Sequence, residues 1–153
     1  MNQDLAAADA AFEWTDNFKL GHAAMDDTHQ EFVEIVNRML QCAPEDLARH
    51  LDEFAIHGES HFSQENKWME ETAFPSMKCH IDEHAAVMRS VHEVRQLLAK
   101  GQDPAIARGL VEELAKWFPG HADYLDSALA QWLVKKSQGG VPVVLRRNMS
   151  FKP

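Results

Sequence analysis

The stretch LDEFAIHGESHFSQENKW, residues 51–68, decides the fold. Its apolar residues Leu51, Phe54 and Trp68 fall in one series of three- and four-residue steps, and the same series includes His61 and Glu65. Such a series forms one face of an α-helix, the face that packs against the rest of a protein. This stretch therefore predicts a long amphipathic helix that carries polar side chains into the core.

Three further stretches show the same periodicity, and each ends where helices usually end. They cover residues 25–40, 77–98 and 106–132. The connections, residues 43–46, 72–76 and 101–104, are short and each contains proline. Short connections between long helices favour antiparallel neighbours. We therefore predict an all-α protein, an antiparallel up-down-up-down four-helix bundle.

We predict one bundle domain over residues 1–136, which includes an N-terminal arm at residues 1–20. Residues 137–153 follow as a C-terminal tail, set off by Gly139-Gly140. Aromatic and aliphatic residues of the arm are candidates for anchoring it to the bundle. These are Phe12, Trp14, Phe18 and Leu20.

Composition excludes several classes of protein. The chain has 153 residues, which suits one domain, and a formal net charge of −9, which argues against nucleic acid as a partner. It contains no run of 18 apolar residues, so we expect no membrane span. Its N-terminus does not resemble a secretory signal, and Cys42 and Cys79 form no redox or metal motif. We therefore expect a cytoplasmic protein.

Each of the four amphipathic stretches carries, on its apolar face (its stripe), polar residues that could bind metal. They are His29 on the first, His61 and Glu65 on the second, His80 and His84 on the third, and His121 and Asp126 on the fourth. Side chains four residues apart on a helix can reach the same point. Five imidazoles and two carboxylates exceed the roughly four ligands of one zinc ion. They suit two transition-metal ions bridged by carboxylates, with iron, copper or zinc favoured.

The fourth stripe contains an irregularity. Pro119-Gly120 directly precedes His121, and proline inside a helix removes a hydrogen bond. His121 and Asp126 are five residues apart, which in an α-helix turns one side chain about 140° from the other. We predict a kink or a π-bulge that turns both side chains toward the core.

This ligand set resembles the signature of the hemerythrins, in particular the bacterial hemerythrins. Asp26-Asp27-Thr28-His29 is similar to the Asp-x-x-His motif of the first helix, and His61-Phe62-Ser63-Gln64-Glu65 to the motif of the second. Phe12-Glu13-Trp14 resembles the aromatic N-terminal arm of that family. The resemblance covers roughly residues 12–133.

The resemblance implies a cofactor of two iron ions with an oxo or hydroxo bridge. His80, His84 and His121 would bind one iron, and His29 and His61 the other. Glu65 and Asp126 would bridge the two ions. The second iron would keep an open position for dioxygen.

The resemblance also implies a function, which is reversible dioxygen binding for oxygen storage, transport or delivery, without enzymatic activity. Two alternatives stay open. One is an oxygen or redox sensor that acts on an unknown protein partner, and the other is a di-iron peroxidase or oxidase.

Three more residues are candidates for an oxygen pocket or for contacts to the ligands. Trp117 lies one turn before His121 and either lines the pocket or packs in the core. Gly58 either admits a ligand or lets two helices approach closely. His57, one turn before His61, is either a partner or proton relay for the site or a residue on the helix flank.

Overall fold

The computed structural model describes residues 12–137, and the regular secondary structure in that range is entirely helical. The long helices are α1 (Ala23–Gln41), α2 (Leu47–Glu71), α3 (Met77–Ala99) and α4 (Ala105–His121). α4 continues through a π-helical turn, Ala122–Asp126, into a last helix, α5 (Ser127–Ser137). Short 3-10 turns occupy Asp16–Phe18 and Pro44–Asp46. The all-α four-helix bundle that the periodicity predicted is confirmed.

The predicted tail, apart from its first residue, and residues 1–11 of the predicted arm lie outside the described residues. The extent of the domain, 1–136, therefore stays a prediction. Among the described helices, none is both long enough and apolar enough to cross a membrane.

The helices alternate in direction, as the order of buried residues along each one shows. The core consists of two apolar clusters separated by a layer of buried polar side chains. Along α1 the chain runs from Met25 in the smaller cluster to Phe32 in the larger one. Along α2 the order is reversed, from Phe54 in the larger cluster to Met69 in the smaller. The same reversal relates α3 to α4, so the bundle is antiparallel throughout.

The described part of the N-terminal arm packs on the larger cluster. Phe12 is 7 % exposed, and its ring meets the edge of Phe118 at a centroid distance of 6.3 Å. Phe18 contacts the same ring at 5.5 Å and stacks on Trp14. Leu20 packs against the smaller cluster instead. The predicted anchoring of the arm by these residues is confirmed.

Local sequence accounts for the helix ends. Asp26 accepts hydrogen bonds from the backbone N–H groups of Leu20 and Gly21, which lie just before α1. Gly101 follows α3 with a φ of 88°, a conformation that glycine adopts without strain. Asp103 Oδ1 accepts a hydrogen bond from the backbone N–H of Ala105, the first residue of α4.

The π-helical turn keeps the last helix facing the core. A π-helix places more residues in a turn than an α-helix, so His121 and Asp126 lie on the same side although five residues separate them. Leu129, in α5, is then also completely buried. The predicted π-bulge is confirmed, and Pro119 does not displace His121 from the polar layer.

Candidate metal centre

The structure brings together all seven residues that the sequence predicted as ligands. Each of them is at most 4 % exposed, and the four long helices and the π-helical turn all contribute at least one. Their nitrogen and oxygen atoms form two groups, within each of which the atoms lie no more than 4.8 Å apart. One group is Glu65, His80, His84, His121 and Asp126, and the other is His29, His61 and Glu65.

The two oxygens of Glu65 face different groups of histidines. Oε2 lies 2.7 Å from His61 Nε2 and 3.4 Å from His29 Nε2. Oε1 lies 3.2 Å from His84 Nε2 and 3.5 Å from His80 Nε2. Glu65 therefore spans the space between a two-histidine group and a three-histidine group.

Asp126 repeats this arrangement from the other side of the bundle. Its Oδ2 lies 3.0 Å from His29 Nε2. Its Oδ1 lies 2.9 Å from His80 Nε2 and 3.2 Å from His121 Nε2. Each carboxylate thus has one oxygen near the three-histidine group. The other oxygen of Glu65 lies near both His29 and His61, and that of Asp126 lies near His29, an arrangement that could hold a pair of bridged metal ions.

The outer nitrogens of two histidines indicate which ring atom carries a hydrogen. His84 Nδ1 lies 2.8 Å from the amide oxygen of Asn66, and His121 Nδ1 lies 2.8 Å from Glu83 Oε1. Both partners are hydrogen-bond acceptors, so both Nδ1 atoms carry the hydrogen. The Nε2 lone pairs then face each other across 3.3 Å, and a cation between them would relieve their repulsion.

Without metal, the site holds its charges as buried ion pairs. Burial lowers the pKa of His29, but Asp126 and Glu65 outweigh this effect and raise it to about 10. The same balance raises the pKa of His80 to about 9. Burial would raise the carboxyl pKa values, yet the surrounding histidines hold the pKa of Glu65 and that of Asp126 well below the usual range. If metal binds through His29 and His80, its uptake would release protons from these two histidines.

Several buried polar atoms of the site support a metal ion more directly. Glu65 Oε1, Asp126 Oδ2 and His29 Nε2 have no hydrogen-bond partner among residues 12–137. His29 Nε2 is close to Asp126 Oδ2 but not aligned for a hydrogen bond. Leaving a buried polar group unsatisfied costs about 1–3 kcal/mol, and more if it is charged. A cation coordinated by these atoms would remove that cost, so the donor set fits a metal.

Aromatic rings enclose the site on the side of the larger cluster. Phe118 meets His29 edge-on at 5.3 Å and stacks with Phe32 at 4.7 Å. Phe62 stacks on His84 at 4.1 Å. The helix periodicity alone did not distinguish these three residues from other core residues. Each of them lies next to a candidate ligand or one helical turn from it. Ordinary core residues can occupy the same positions, so this position alone does not identify a residue of the site.

The three predicted pocket residues differ in their surroundings. Trp117 is half-buried and stacks on His121 with ring centroids 4.3 Å apart. A β-carbon at Gly58 would come within 2.9 Å of Met88 Sδ, so this glycine allows close packing of α2 on α3. The side chain of His57 is 12 % exposed and lies beside His61, at 5.5 Å between ring centroids. Their roles toward oxygen stay predictions.

Glu83 and Asn66 are the polar contacts that the sequence analysis missed. Glu83 directly precedes His84, and Asn66 directly follows Glu65. Neighbouring helix positions point about 100° apart, so such residues lie at the edge of the buried face. That position next to a ligand was the available signal.

The fold and the site together define a class of protein, a four-helix bundle with a buried histidine and carboxylate metal site. The model of the family described as "Hemerythrin HHE cation binding domain" matches residues 20–133. The bacteriohemerythrin of Ralstonia nicotianae is 39 % identical over 124 residues, which cover 81 % of this chain and 90 % of that protein.

Two other relatives bear the same name. The bacteriohemerythrin of Aquifex aeolicus is 29 % identical over an alignment that covers 75 % of this chain and 92 % of that protein. The bacteriohemerythrin of Stenotrophomonas maltophilia is 27 % identical over an alignment that covers 86 % of this chain and 92 % of that protein. The chain belongs to the hemerythrin family. Family and buried ligand cluster together fit an iron site.

Proposed function

We propose that this protein binds dioxygen reversibly at a pair of iron ions, and so stores, carries or delivers oxygen. One observation carries the proposal: Glu65 and Asp126 each direct one oxygen at the two-histidine group and the other at the three-histidine group. His29 and His61 would hold one iron, and His80, His84 and His121 the other. A pair of iron ions bound there would supply two electrons, which dioxygen could accept and give back.

The unequal number of histidines supports an open position on one iron. The three-histidine group offers three nitrogens and two carboxylate oxygens. The two-histidine group, His29 and His61, offers two nitrogens and two oxygens. If a solvent-derived oxo or hydroxo group forms a third bridge, only the two-histidine side remains below the roughly six ligands of an octahedral ion. We therefore place the oxygen position beside His29 and His61.

The surrounding residues favour binding over further reaction. Phe118 and Phe32 lie against His29 and His61 at ring distances of 5.3 and 6.4 Å and keep that side apolar. Exclusion of water limits proton delivery to a bound ligand. His57 is a titratable group beside His61, at 5.5 Å between ring centroids. Burial lowers the pKa of His57 to about 4, so the ring is neutral near pH 7 and is a poor proton donor.

The test is an optical titration with oxygen. The protein is loaded with Fe(II) under argon, and its visible spectrum is recorded before air, in air and after renewed argon. We expect a visible band that appears with air and disappears under argon over several cycles. A ferric spectrum that argon cannot reverse would overturn reversible binding and favour the redox sensor or the peroxidase and oxidase alternatives.

A substitution tests the bridging arrangement independently of oxygen. In Glu65→Gln the neutral amide presents only one oxygen, so it cannot bridge two ions as a carboxylate does. We expect the iron content after anaerobic loading and desalting to fall below that of the unaltered protein. Glu70→Gln, an exposed position on the same helix, is the matched control and should retain the iron. Equal iron contents in both variants would contradict the bridging role of Glu65.

The cytoplasmic location is also a proposal. Both Cys42 and Cys79 are free thiols, as expected in a reducing compartment.

A further inference from the structure

We propose that Glu83 is a positioning residue of the metal centre, which holds the His121 imidazole in the tautomer and orientation needed for metal binding. It does so with one carboxylate oxygen that His121 shares with the indole of Trp117. The proposal rests on the metal centre of the proposed function, but not on oxygen binding.

The geometry joins two helices around one oxygen atom. Glu83 Oε1, from α3, lies 2.8 Å from His121 Nδ1 and 2.9 Å from Trp117 Nε1, both from α4. The indole N–H can only donate, and a carboxylate only accepts, so both hydrogen bonds run toward Glu83. Trp117 also stacks on His121, at an interplanar angle of 29°. The imidazole is therefore restrained both at its Nδ1 edge and on one face.

This restraint acts where the backbone is least regular. His121 is the last residue of α4 and directly precedes the π-helical turn, and Pro119 two residues earlier has no N–H to donate. Backbone hydrogen bonding alone therefore positions this ligand less firmly than the ligands within α2 and α3. The contact with Glu83 ties His121 to α3, which supplies His80 and His84 of the same group.

The charge of Glu83 should also affect the iron. An anionic acceptor on Nδ1–H makes the imidazole a stronger donor at Nε2. A stronger donor stabilises ferric iron more than ferrous iron, which lowers the reduction potential. The side chain of Glu83 is 38 % exposed, so this carboxylate remains partly hydrated while it contacts a buried ligand.

The two halves of the site differ in this respect. Within residues 12–137, two of the three histidines in one group, His121 and His84, have acceptors at Nδ1, whereas His80 of that group has none. In the other group, neither His29 nor His61 has an acceptor at Nδ1. The three-histidine group is thus the more firmly oriented one.

The experiment compares Glu83→Gln, Glu83→Ala and Asp82→Asn. Asp82→Asn is the matched control, since Asp82 is an adjacent carboxylate on the same helix that pairs with Lys78 at the surface. Fe(II) affinity is measured under argon by competition with a chelator. We expect Glu83→Ala to lose about 10- to 100-fold in affinity. Glu83→Gln should lose less, because its amide oxygen still accepts a hydrogen bond, and Asp82→Asn should match the unaltered protein.

The reduction potential of the iron-loaded variants separates positioning from a merely structural role. We expect the potential to rise from the unaltered protein to Glu83→Gln and further to Glu83→Ala, with little change in Asp82→Asn. Denaturant unfolding of the metal-free variants checks that each one folds. Equal affinities and potentials in Glu83→Gln and Asp82→Asn would overturn the proposal. If none of the proteins bound oxygen reversibly but this order held, only the proposed function would fail.

Discussion

At the scale of single residues, the site is a set of opposite charges that metal binding would rearrange. The Nε2 atoms of all five histidines in the candidate metal centre lie within 3.2 Å of a carboxylate oxygen. In the metal-free protein some of these contacts hold protons, as the raised pKa values of His29 and His80 indicate. The metal-free and iron-loaded proteins should therefore respond differently to pH.

We predict that the metal-free protein is most stable near pH 6–7. The folded-state pKa values of His29 and His80 lie near 10 and 9, above the unfolded value of about 6.5. The stability that these two histidines contribute to the folded protein is fully present below pH 6.5. It is lost as the pH rises through their folded-state pKa values. His57 has a lowered pKa, near 4, so its contribution is lost as the pH falls from about 6.5. The lowered pKa values of Glu65 and Asp126 add a further loss in acid.

Thermal unfolding between pH 5 and 10 measures this dependence. The melting temperature of the metal-free protein should fall between pH 7 and 10, and the iron-loaded protein should show a smaller fall, because metal replaces the protons on His29 and His80. An equal alkaline loss in both forms would contradict the assignment of protons to these histidines.

At the scale of elements, the π-helical turn accommodates the irregular spacing between His121 and Asp126. One extra residue lies between His121 and Asp126 compared with an α-helical pair four apart. The turn absorbs that residue, so Asp126 faces the site and Leu129 faces the core. Tyr124, within the turn, is 81 % exposed, so its side chain occupies none of the core.

Deletion of Tyr124 should therefore preserve the site. It leaves His121 and Asp126 four residues apart, a spacing that a regular α-helix places on one face. We expect the deletion variant to keep its helical circular dichroism and its iron content. Insertion of one alanine after Tyr124 is the matched opposite change and should lower the iron content. Loss of iron in both variants would contradict this prediction. It would show that iron binding requires the π-helical turn itself and not only the orientation of His121 and Asp126 toward the core.

At the scale of the whole molecule, the polar layer depends on the apolar clusters on either side of it. The larger cluster reaches from the N-terminal arm to the site through a chain of ring contacts, from Phe12 to Phe118 and from Phe118 to His29. We therefore expect the arm to help keep water away from the two-histidine side.

We predict that Phe12→Ala both destabilises the protein and shortens the life of its oxygenated form. Truncation of a buried phenylalanine costs up to about 3–5 kcal/mol, and the cavity would open Phe118 to water. Denaturant unfolding measures the first effect, and the rate of spectral change in air measures the second. Ile56→Ala, at a side chain 72 % exposed, is the control and should change stability by less than about 0.5 kcal/mol. If Phe12→Ala were destabilising but its oxygenated form lasted unchanged, the arm would have only a structural role.

Much of this architecture could be predicted before the structure was known. Helix periodicity predicted four helices, short connections predicted their antiparallel order, and the positions of His61 and Glu65 on an apolar face predicted a buried site. The irregular spacing around Pro119 predicted a kink or a π-bulge, and the structure contains a π-helical turn. These predictions succeed because they depend on local steric rules and on burial patterns along one helix at a time.

What the sequence determined by itself is the set of seven candidate ligand residues and the face of the helix on which each one lies, since both follow from spacing along the chain. Only the tertiary structure decided which carboxylate oxygen faces which histidine, and that Glu83 of one helix reaches His121 of another. Those contacts join side chains distant in sequence. Their distances depend on how the helices pack and on the rotation of each side chain, and no periodicity along the chain encodes either quantity.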